Sequence, residues 1–249
     1  MSNSSQEKLP LFYKKPVVLS TKEHANWRIR EGDYSFASDT VVAPVTATEF
    51  SMACHDYPIL FAGETAAPIA LLGLKGENLS VLDGQWDPLL YIPAYVRRYP
   101  FGSIQVQSEN APVLMIDSAS ERIINSNMND NQEPEGIALF EDGKPSAPLE
   151  NLVRFCERFH SDAIVTKKFG QALIEADILV DRRADVTLPV SGDKLGVAGF
   201  RIVDPQRFDA LPEATILDWN KKGWLGLVYL HLSSIDRFQR LMGRQAGRS

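Results

Sequence analysis

The sequence predicts an α+β protein: a mainly antiparallel β-sheet in the first half, with helices packed on or beside it. Short apolar runs separated by proline, glycine and aspartate fill the first half, as is typical of strands. After Pro148, apolar residues recur every three or four positions, which indicates a long helix. The apolar face of that helix must pack on another layer, and the β-rich half is the available surface. We therefore expect one shared core over residues 16–242, preceded by an unstructured lead (1–15) and followed by a basic C-terminal tail (243–249).

Residues 46–49 (TATE), in the first half, form a pattern that is typical of the start of a helix. In this capping box the hydroxyl of Thr46 bonds the amide of Glu49, and the carboxylate of Glu49 bonds back to the amide of Thr46. A short helix should follow and end before Pro58, because a residue that precedes proline avoids the helical region. Short strands are then predicted at residues 59–61, 69–74, 79–82, 104–107 and 113–116.

The segment 128–143 is acidic and contains no basic residue. Its carboxylates lack the alternating ligand positions and the fixed glycine of a calcium-binding loop. We therefore interpret it as a surface excursion with one short strand at residues 137–140, and not as a metal site.

The second half is predicted to be mostly helical. The long helix covers residues 149–174, and Gly170 is a point at which it can break. A hairpin turns at residues 191–193 (SGD), between strands at 186–190 and 195–203. Two helices follow at about 212–222 and 224–241, and Gly223 suits the position just after the first of them.

Composition narrows the functional classes. The net charge of -6 over 249 residues argues against a general nucleic-acid-binding protein, which would need a basic surface. Cys54 and Cys156 lie far apart without metal-ligand spacing, so we expect buried thiols and neither a disulfide nor a zinc site. No run approaches the roughly 18 consecutive apolar residues of a membrane-spanning helix, and residues 1–8 are polar. We expect a cytoplasmic protein that does not insert into membranes.

The usual sequence signatures of catalysis and cofactor binding do not occur. The chain has no Gly-x-Ser-x-Gly element, no phosphate-binding Gly-x-x-x-x-Gly-Lys-Ser/Thr loop and no dinucleotide-binding glycine pattern after a strand. His55 and Asp56 are adjacent, whereas a His-x-Asp pair would suit a metal triad. We therefore expect neither a cofactor nor a metal. Whether the protein is an enzyme stays open.

The most informative segment is residues 91–101 (YIPAYVRRYPF), which combines three tyrosines, two arginines and two prolines. Pro93 should begin a short helix, from which Arg97 and Arg98 project about 100° apart. Arginine suits carboxylate or phosphate groups, and tyrosine adds a flat contact surface. One interpretation is a site for an unknown protein or a small anionic or peptide-like ligand. The other is that the inner arginine pairs with Asp56 or Asp87 and ties this helix to the sheet.

Seven residues form the candidate ligand-binding set. They are Asp56, Tyr57, Tyr95, Arg97, Arg98, Tyr99 and His231. His231 lies three residues before Ser234, so both share one face of the last predicted helix. That pair fits either a hydrogen-bonded edge of the core or a catalytic role.

Five segments resemble the SapC family, named for a gene in a bacterial surface-layer locus. They are residues 55–61 (HDYPILF), 70–74 (ALLGL), 91–101 (YIPAYVRRYPF), 199–204 (GFRIVD) and 228–234 (VYLHLSS). The resemblance covers roughly residues 16–242. One departure is Gly199-Phe200, where the family usually has leucine or a similar residue followed by tyrosine.

The resemblance implies a role in the bacterial envelope. The family is associated with surface-layer export loci in some bacteria. The chain also resembles family members that, in other bacteria, are encoded near outer-membrane uptake receptors, cupin-like proteins and flavin-dependent halogenase homologues. No catalytic activity comes with the family. The resemblance thus implies a non-enzymatic accessory or binding protein for surface-layer assembly or nutrient uptake. The alternative is an enzyme with a polar site built from Asp56, Tyr57, Arg97 and Tyr99.

Overall fold

A computed structural model describes residues 9–104, 113–125, 135–187 and 194–248 and has the predicted α+β architecture. The strands are β1 (Pro16–Val18), β2 (Trp27–Ile29), β3 (Val42–Pro44), β4 (Ile59–Ala62), β5 (Ala67–Leu71), β6 (Val81–Leu82), β7 (Gln85–Trp86), β8 (Phe101–Ile104), β9 (Val113–Asp117), β10 (Ile123–Asn125), β11 (Ile137–Ala138), β12 (Phe140–Glu141), β13 (Lys144–Pro145), β14 (Leu179–Thr187) and β15 (Lys194–Val203). The helices are α1 (Phe50–Ala53), α2 (Ala94–Arg97), α3 (Ala147–Glu175), α4 (Pro205–Asp209), α5 (Glu213–Lys222), α6 (Trp224–Ser234) and α7 (Arg237–Arg248).

The chain divides into two compact units. The first contains Met1–Asp33 and Arg98–Arg158, and the second contains Tyr34–Arg97 and Phe159–Ser249. The boundary between Arg158 and Phe159 falls within α3, so this helix contributes residues to both units. The expectation of one shared core over residues 16–242 stays a prediction.

The first unit contains two small antiparallel sheets, β1-β9-β8 and β10-β2-β11. A two-stranded sheet, β12-β13, belongs to it as well. Its core joins residues of β8, β9, the β11–β12 segment and the first part of α3: Phe101, Ile116, Leu139, Phe140, Leu149 and Cys156. Residues 9–15 contain turns but no helix or strand, and residues 1–8 lie outside the described residues, so the unstructured lead stays a prediction. Tyr13 is buried and donates its hydroxyl to the carbonyl of Phe101, because its ring fills a gap beside Gly102.

The second unit is built on a five-stranded antiparallel sheet with the order β14-β15-β4-β5-β3. Its core contains Leu60, Leu71, Leu79, Phe200 and Leu241. Since Leu241 lies in α7, the C-terminal helix is part of this core. The predicted basic tail at residues 243–249 is therefore helical through Arg248, whose guanidinium donates to the carbonyls of Asn78, Leu79 and Val81.

Several local predictions are confirmed, among them the capping box at Thr46, α1, α3 and α5 with Gly223 in the left-handed conformation. Others need correction. The predicted strand 69–74 ends at Leu71, because the amides of Leu72 and Gly73 both turn to the carbonyl of Val41. The strand predicted at 137–140 is two short strands, because residues 137–138 pair with β2 whereas Phe140 and Glu141 pair with β13.

The single terminal helix predicted over 224–241 is two helices, α6 and α7, separated at residues 235–236. Strands β14 and β15 confirm the hairpin, although β14 begins at Leu179, earlier than predicted. Three predicted segments lie outside the described residues: the hairpin turn at 191–193, residues 105–107 of a predicted strand, and residues 128–134 of the acidic excursion.

Helix α3 continues through Gly170, where the sequence allowed a break. A Cβ atom at this position would lie 2.8 Å from the carbonyl oxygens of Thr65 and Ala66 in the turn between β4 and β5. Backbone atoms cannot yield as a flexible side chain would. Gly170 is therefore needed for the close approach of α3 to this turn.

Gly170→Ala is expected to destabilise the protein by about 1–3 kcal/mol, although alanine is the better helix former, because the added methyl group overpacks the contact with the turn. Gly226→Ala in α6 is the matched control, since a Cβ there meets nothing within 4 Å. It should stabilise the protein by about 0.5–1 kcal/mol. Urea denaturation measures both. A stabilising Gly170→Ala would contradict the close approach.

Candidate functional site

Glu49 anchors the segment that carries the tyrosines. Its side chain is buried, and its Oε2 atom accepts the backbone amide of Thr46 at 2.8 Å and the hydroxyl of Thr46 at 2.9 Å. Its Oε1 atom accepts the hydroxyl of Tyr91 at 2.9 Å and the amide of Ala94, the first residue of α2, at 2.6 Å. Both carboxylate oxygens are therefore occupied by donors from the protein itself.

Tyr91 is held at every polar atom. Its amide donates to Oδ2 of Asp56 at 2.8 Å, and its carbonyl accepts the hydroxyl of Tyr57 at 2.7 Å. Its own hydroxyl also accepts a hydrogen bond from Nη2 of Arg97 at 3.2 Å. Burial, and then the neighbouring charge of Glu49, raise the pKa of Tyr91 to about 12, so the hydroxyl stays protonated at neutral pH. We call Tyr91 and these four partners (Glu49, Asp56, Tyr57 and Arg97) the Tyr91 network.

The sequence allowed Asp56 to pair with the inner one of Arg97 and Arg98. In the part of the chain that the structure describes, Arg97 forms no ion pair with Asp56. Asp56, which is half-buried, instead binds the amide of Tyr91. The exposed side chain of Arg97 turns back along its own segment, where Nε donates to the carbonyl of Ile92 at 3.0 Å and the guanidinium covers the Tyr91 ring. The two segments are thus joined by hydrogen bonds to the backbone of Tyr91.

Arg98 and Tyr99 belong to the first unit, whereas the other five candidate residues belong to the second. The hydroxyl of Tyr99 donates to Oδ2 of Asp117 at 3.0 Å. Asp117 is fully buried and also accepts the amides of Lys14 and Lys15. Asp117 thus holds Tyr99 and the chain before β1, as Glu49 holds Tyr91 and α2.

Arg98 is buried in the first unit, with its guanidinium carbon 6.0 Å from the centre of the Tyr13 ring. The two arginines therefore differ in exposure as expected of adjacent residues on a helix: Arg97 is exposed and Arg98 is buried. Arg98 in this environment suits a structural role better than ligand recognition at the surface.

His231 is fully buried in α6 and joins two strands of the sheet. Its Nε2 atom accepts the amide of Val203 at 3.0 Å, so its Nδ1 atom carries the proton and donates to the carbonyl of Ile59 at 2.8 Å. The pairing of Phe61 with Arg201, continued by two residues, would place Ile59 opposite Val203. The imidazole therefore replaces a missing step of the β4–β15 ladder. Burial lowers the pKa of His231 to about 4.

Ser234 completes this connection. Its hydroxyl accepts the amide of Ile59 at 2.9 Å and donates to the carbonyl of His231 at 2.6 Å. Both polar side chains on this face of α6 are thus used to fasten the helix to β4. Of the two interpretations of His231, the hydrogen-bonded core edge agrees with this geometry.

Tyr95 borders a cavity of about 290 Å³ in the second unit, which we call the Tyr95 cavity. The ring of Tyr95 is buried and lies edge-on to Phe159, with 6.0 Å between ring centres. The cavity is lined by Pro44, Val45, Thr46, Thr65, Ala67, Pro68, Tyr95, Phe159, Ala163, Thr166 and Lys167. The helical period brings the four α3 residues to one wall, and the end of β3 and the β4–β5 turn form the others.

Most of the Tyr95 cavity could not be found from sequence. Tyr95 is in the predicted set, but the other lining residues are mainly small or apolar and carry no chemical motif. Thr46 was noted only for its capping box. The Tyr91 network bears on this site because Glu49 fixes the amide of Ala94, the residue next to Tyr95.

The described residues contain neither a cluster of metal-ligand side chains nor a membrane-spanning helix. Within the described ranges, no three histidine, cysteine, aspartate or glutamate side chains are grouped so that they could hold a metal ion. Over the same residues, no helix combines the length and apolar character needed to cross a bilayer. The expected absence of metal and cofactor stays a prediction.

Seven polar side chains of segments 55–61, 91–101 and 228–234 are thus hydrogen-bonded within their own unit: Asp56, Tyr57, Tyr91, Arg97, Tyr99, His231 and Ser234. A family model described as SapC matches residues 19–241. The chain belongs to the SapC family. No curated protein and no solved structure matches it. The SapC match includes the Tyr91 network, the Tyr95 cavity and His231.

Proposed function

We propose that this SapC protein is a non-enzymatic binding protein that holds its ligand in the Tyr95 cavity. The observation that supports this proposal is a contrast within segment 91–101. Tyr91 and Arg97 are engaged with their own chain, whereas Tyr95 borders a cavity large enough for part of a ligand. In this segment, structural and binding roles fall to different side chains.

The occupied hydrogen bonds also weigh against the enzyme alternative. A general acid or base must reach the substrate proton within hydrogen-bond distance. Asp56 accepts the amide of Tyr91, and Tyr57, 1% exposed, donates to the carbonyl of the same residue. Burial raises the pKa of Tyr57 above its ordinary range, which disfavours a role as a base at neutral pH. A binding role requires none of these groups to react.

The proposed setting follows from family membership. SapC family members are associated with surface-layer export loci in some bacteria. In other bacteria, members are encoded near outer-membrane uptake receptors. We infer an accessory role in envelope assembly or nutrient uptake, with the protein located in the cytoplasm. Fractionation of the native bacterium should recover it with cytoplasmic proteins. Recovery with the membranes or the periplasm would contradict this location.

Native mass spectrometry of the protein purified from its own bacterium tests the binding proposal. We expect a fraction of the wild-type protein to carry a small-molecule mass. Ala163→Phe should abolish that mass, because the half-buried Ala163 lines the cavity and a phenyl group would fill it. Val165→Phe is the control, since Val165 is exposed on the same helix and does not line the cavity. A protein without bound mass, or a bound mass that survives Ala163→Phe, would overturn the proposal.

A further inference from the structure

The walls of the Tyr95 cavity are mostly apolar, and the hydroxyls of Thr46 and Thr166 are already hydrogen-bonded. Pro44, Val45 and Pro68 offer only apolar side chains. The hydroxyl of Thr166 accepts the amide of Ala47 at 2.8 Å and donates to the carbonyl of Asp162 at 2.7 Å. An apolar group can enter this space without displacing a hydrogen bond, whereas a charged group would lose its water and find no partner deep in the cavity.

Lys167 is the charged residue that lines the cavity. It is exposed and forms no ion pair with any of the described residues. Its ammonium group stays hydrated at the rim while its aliphatic stem borders the cavity, as is usual for lysine. A ligand whose apolar group fills the cavity would therefore meet a positive charge where it emerges into water.

The volume limits the apolar group. The volume of about 290 Å³ lies just below the range for small-molecule sites, which is roughly 300–1,000 Å³. This space suits one ring or one short branched chain. The aromatic edges of Tyr95 and Phe159 favour a planar ring, because edge-to-face ring contacts are favourable beyond simple burial.

We propose that the Tyr95 cavity binds a small carboxylate with an aryl or short branched apolar group, and that Lys167 pairs with its carboxylate. This inference rests on the proposed function and adds the class of ligand. The cavity supplies most of the binding free energy through burial of the apolar group. Lys167 selects the acid over its neutral analogue, by the modest factor that an exposed ion pair contributes.

Titration of the full chain with 3-phenylpropionate, followed by ligand-observed NMR, tests this assignment, with 3-phenylpropan-1-ol as the uncharged analogue. We expect the acid to bind about two- to fivefold more tightly than the alcohol at low salt, which is the range of an exposed ion pair. Lys167→Met should remove this preference and leave the affinity for the alcohol unchanged. Added salt should weaken binding of the acid only.

Two further variants make the result specific. Lys168→Met is the matched control, because Lys168 is the exposed neighbour of Lys167 and borders the groove between α3 and α5 but not the Tyr95 cavity. It should keep the preference for the acid. Ala163→Phe should abolish binding of both compounds, which places them in the cavity.

The failures of the two proposals are distinguishable. Equal binding of acid and alcohol, both lost in Ala163→Phe, would overturn the role of Lys167 and leave the cavity as a binding site. A preference for the acid that survives Lys167→Met would do the same. Binding that survives Ala163→Phe would overturn both proposals. Absence of binding by either compound would overturn the assigned ligand class, and native mass spectrometry would still decide whether the cavity holds a ligand.

Discussion

Glu49→Ala is expected to lower the free energy of unfolding by about 3–5 kcal/mol, a large part of the stability of a typical domain. The substitution removes the acceptor of four donors: the buried amides of Thr46 and Ala94, the hydroxyl of Thr46 and the half-buried hydroxyl of Tyr91. Each unsatisfied buried donor costs roughly 1–3 kcal/mol, and relaxation that admits water keeps the total below the simple sum. Urea denaturation followed by circular dichroism measures the change.

Two variants separate the hydrogen bonds of Glu49 from its charge. Glu49→Gln keeps one acceptor oxygen, but its amide nitrogen must face donors on the other side, so we expect an intermediate loss. Glu64→Ala removes the same charge from an exposed turn and should change stability by less than about 0.5 kcal/mol. If Glu49→Ala unfolds like Glu64→Ala, the carboxylate does not anchor this segment.

The Glu49 result also bears on ligand binding. Because Glu49 fixes the first amide of α2, its loss should release the segment that places Tyr95 at the cavity. Ligand affinity should therefore fall in Glu49→Ala even under conditions where the protein stays folded. This separates Glu49, which positions the segment of Tyr95, from Ala163 and Lys167, which line the cavity.

Signals that depend on a few neighbouring residues predicted the structure well. The capping box at Thr46 involves residues three apart, and the position of Gly223 depends only on the end of α5. The apolar period of α3 is likewise a local pattern, and it is confirmed over Ala147–Glu175. In each case one segment contains all the groups that determine the conformation.

Contacts between distant segments were not predictable in this way. The capping box identifies the bond from Glu49 to Thr46, but the other carboxylate oxygen meets Tyr91 and Ala94, 42 and 45 residues further along the chain. The sequence suggested an ion pair between Asp56 and one of the two arginines, Arg97 or Arg98, because charge makes such partners conspicuous. Backbone amides and carbonyls compete for the same side chains and are present at every residue, so a sequence pattern does not reveal which of them wins.

His231 shows the same limit and gives the clearest pH prediction. The sequence placed it on one face of a helix with Ser234, but only the fold shows its imidazole between Ile59 and Val203. Protonation would put a second N–H on Nε2, opposite the amide of Val203 that this nitrogen now accepts. Both burial and this hydrogen bond therefore favour the neutral ring.

Wild-type stability is expected to fall by about 2 kcal/mol between pH 7.5 and pH 5.0 through His231 alone. The pKa of its imidazole is lowered from 6.5 to about 4 in the folded protein by burial, so the unfolded chain takes up a proton between these values and the folded protein does not. The contribution of the neutral ring is complete above about pH 6.5 and is lost as the pH falls towards 4. His231→Phe removes this dependence. It should also cost about 2–4 kcal/mol at pH 7.5, because the carbonyl of Ile59 and the amide of Val203 lose their partners.

The decisive measurement is the stability gap between wild type and His231→Phe, obtained by urea denaturation at both pH values. The remaining ionisable groups titrate in both proteins, so their contributions to the free energy of unfolding cancel in this difference. The gap should therefore shrink by about 2 kcal/mol on acidification. His55→Phe is the control, because His55 is exposed and its replacement should leave the pH dependence of the wild type unchanged. A gap of the same size at pH 7.5 and pH 5.0 would mean that His231 is not held neutral by burial. It would also contradict the hydrogen bond from the amide of Val203 to Nε2, which only the neutral ring can accept.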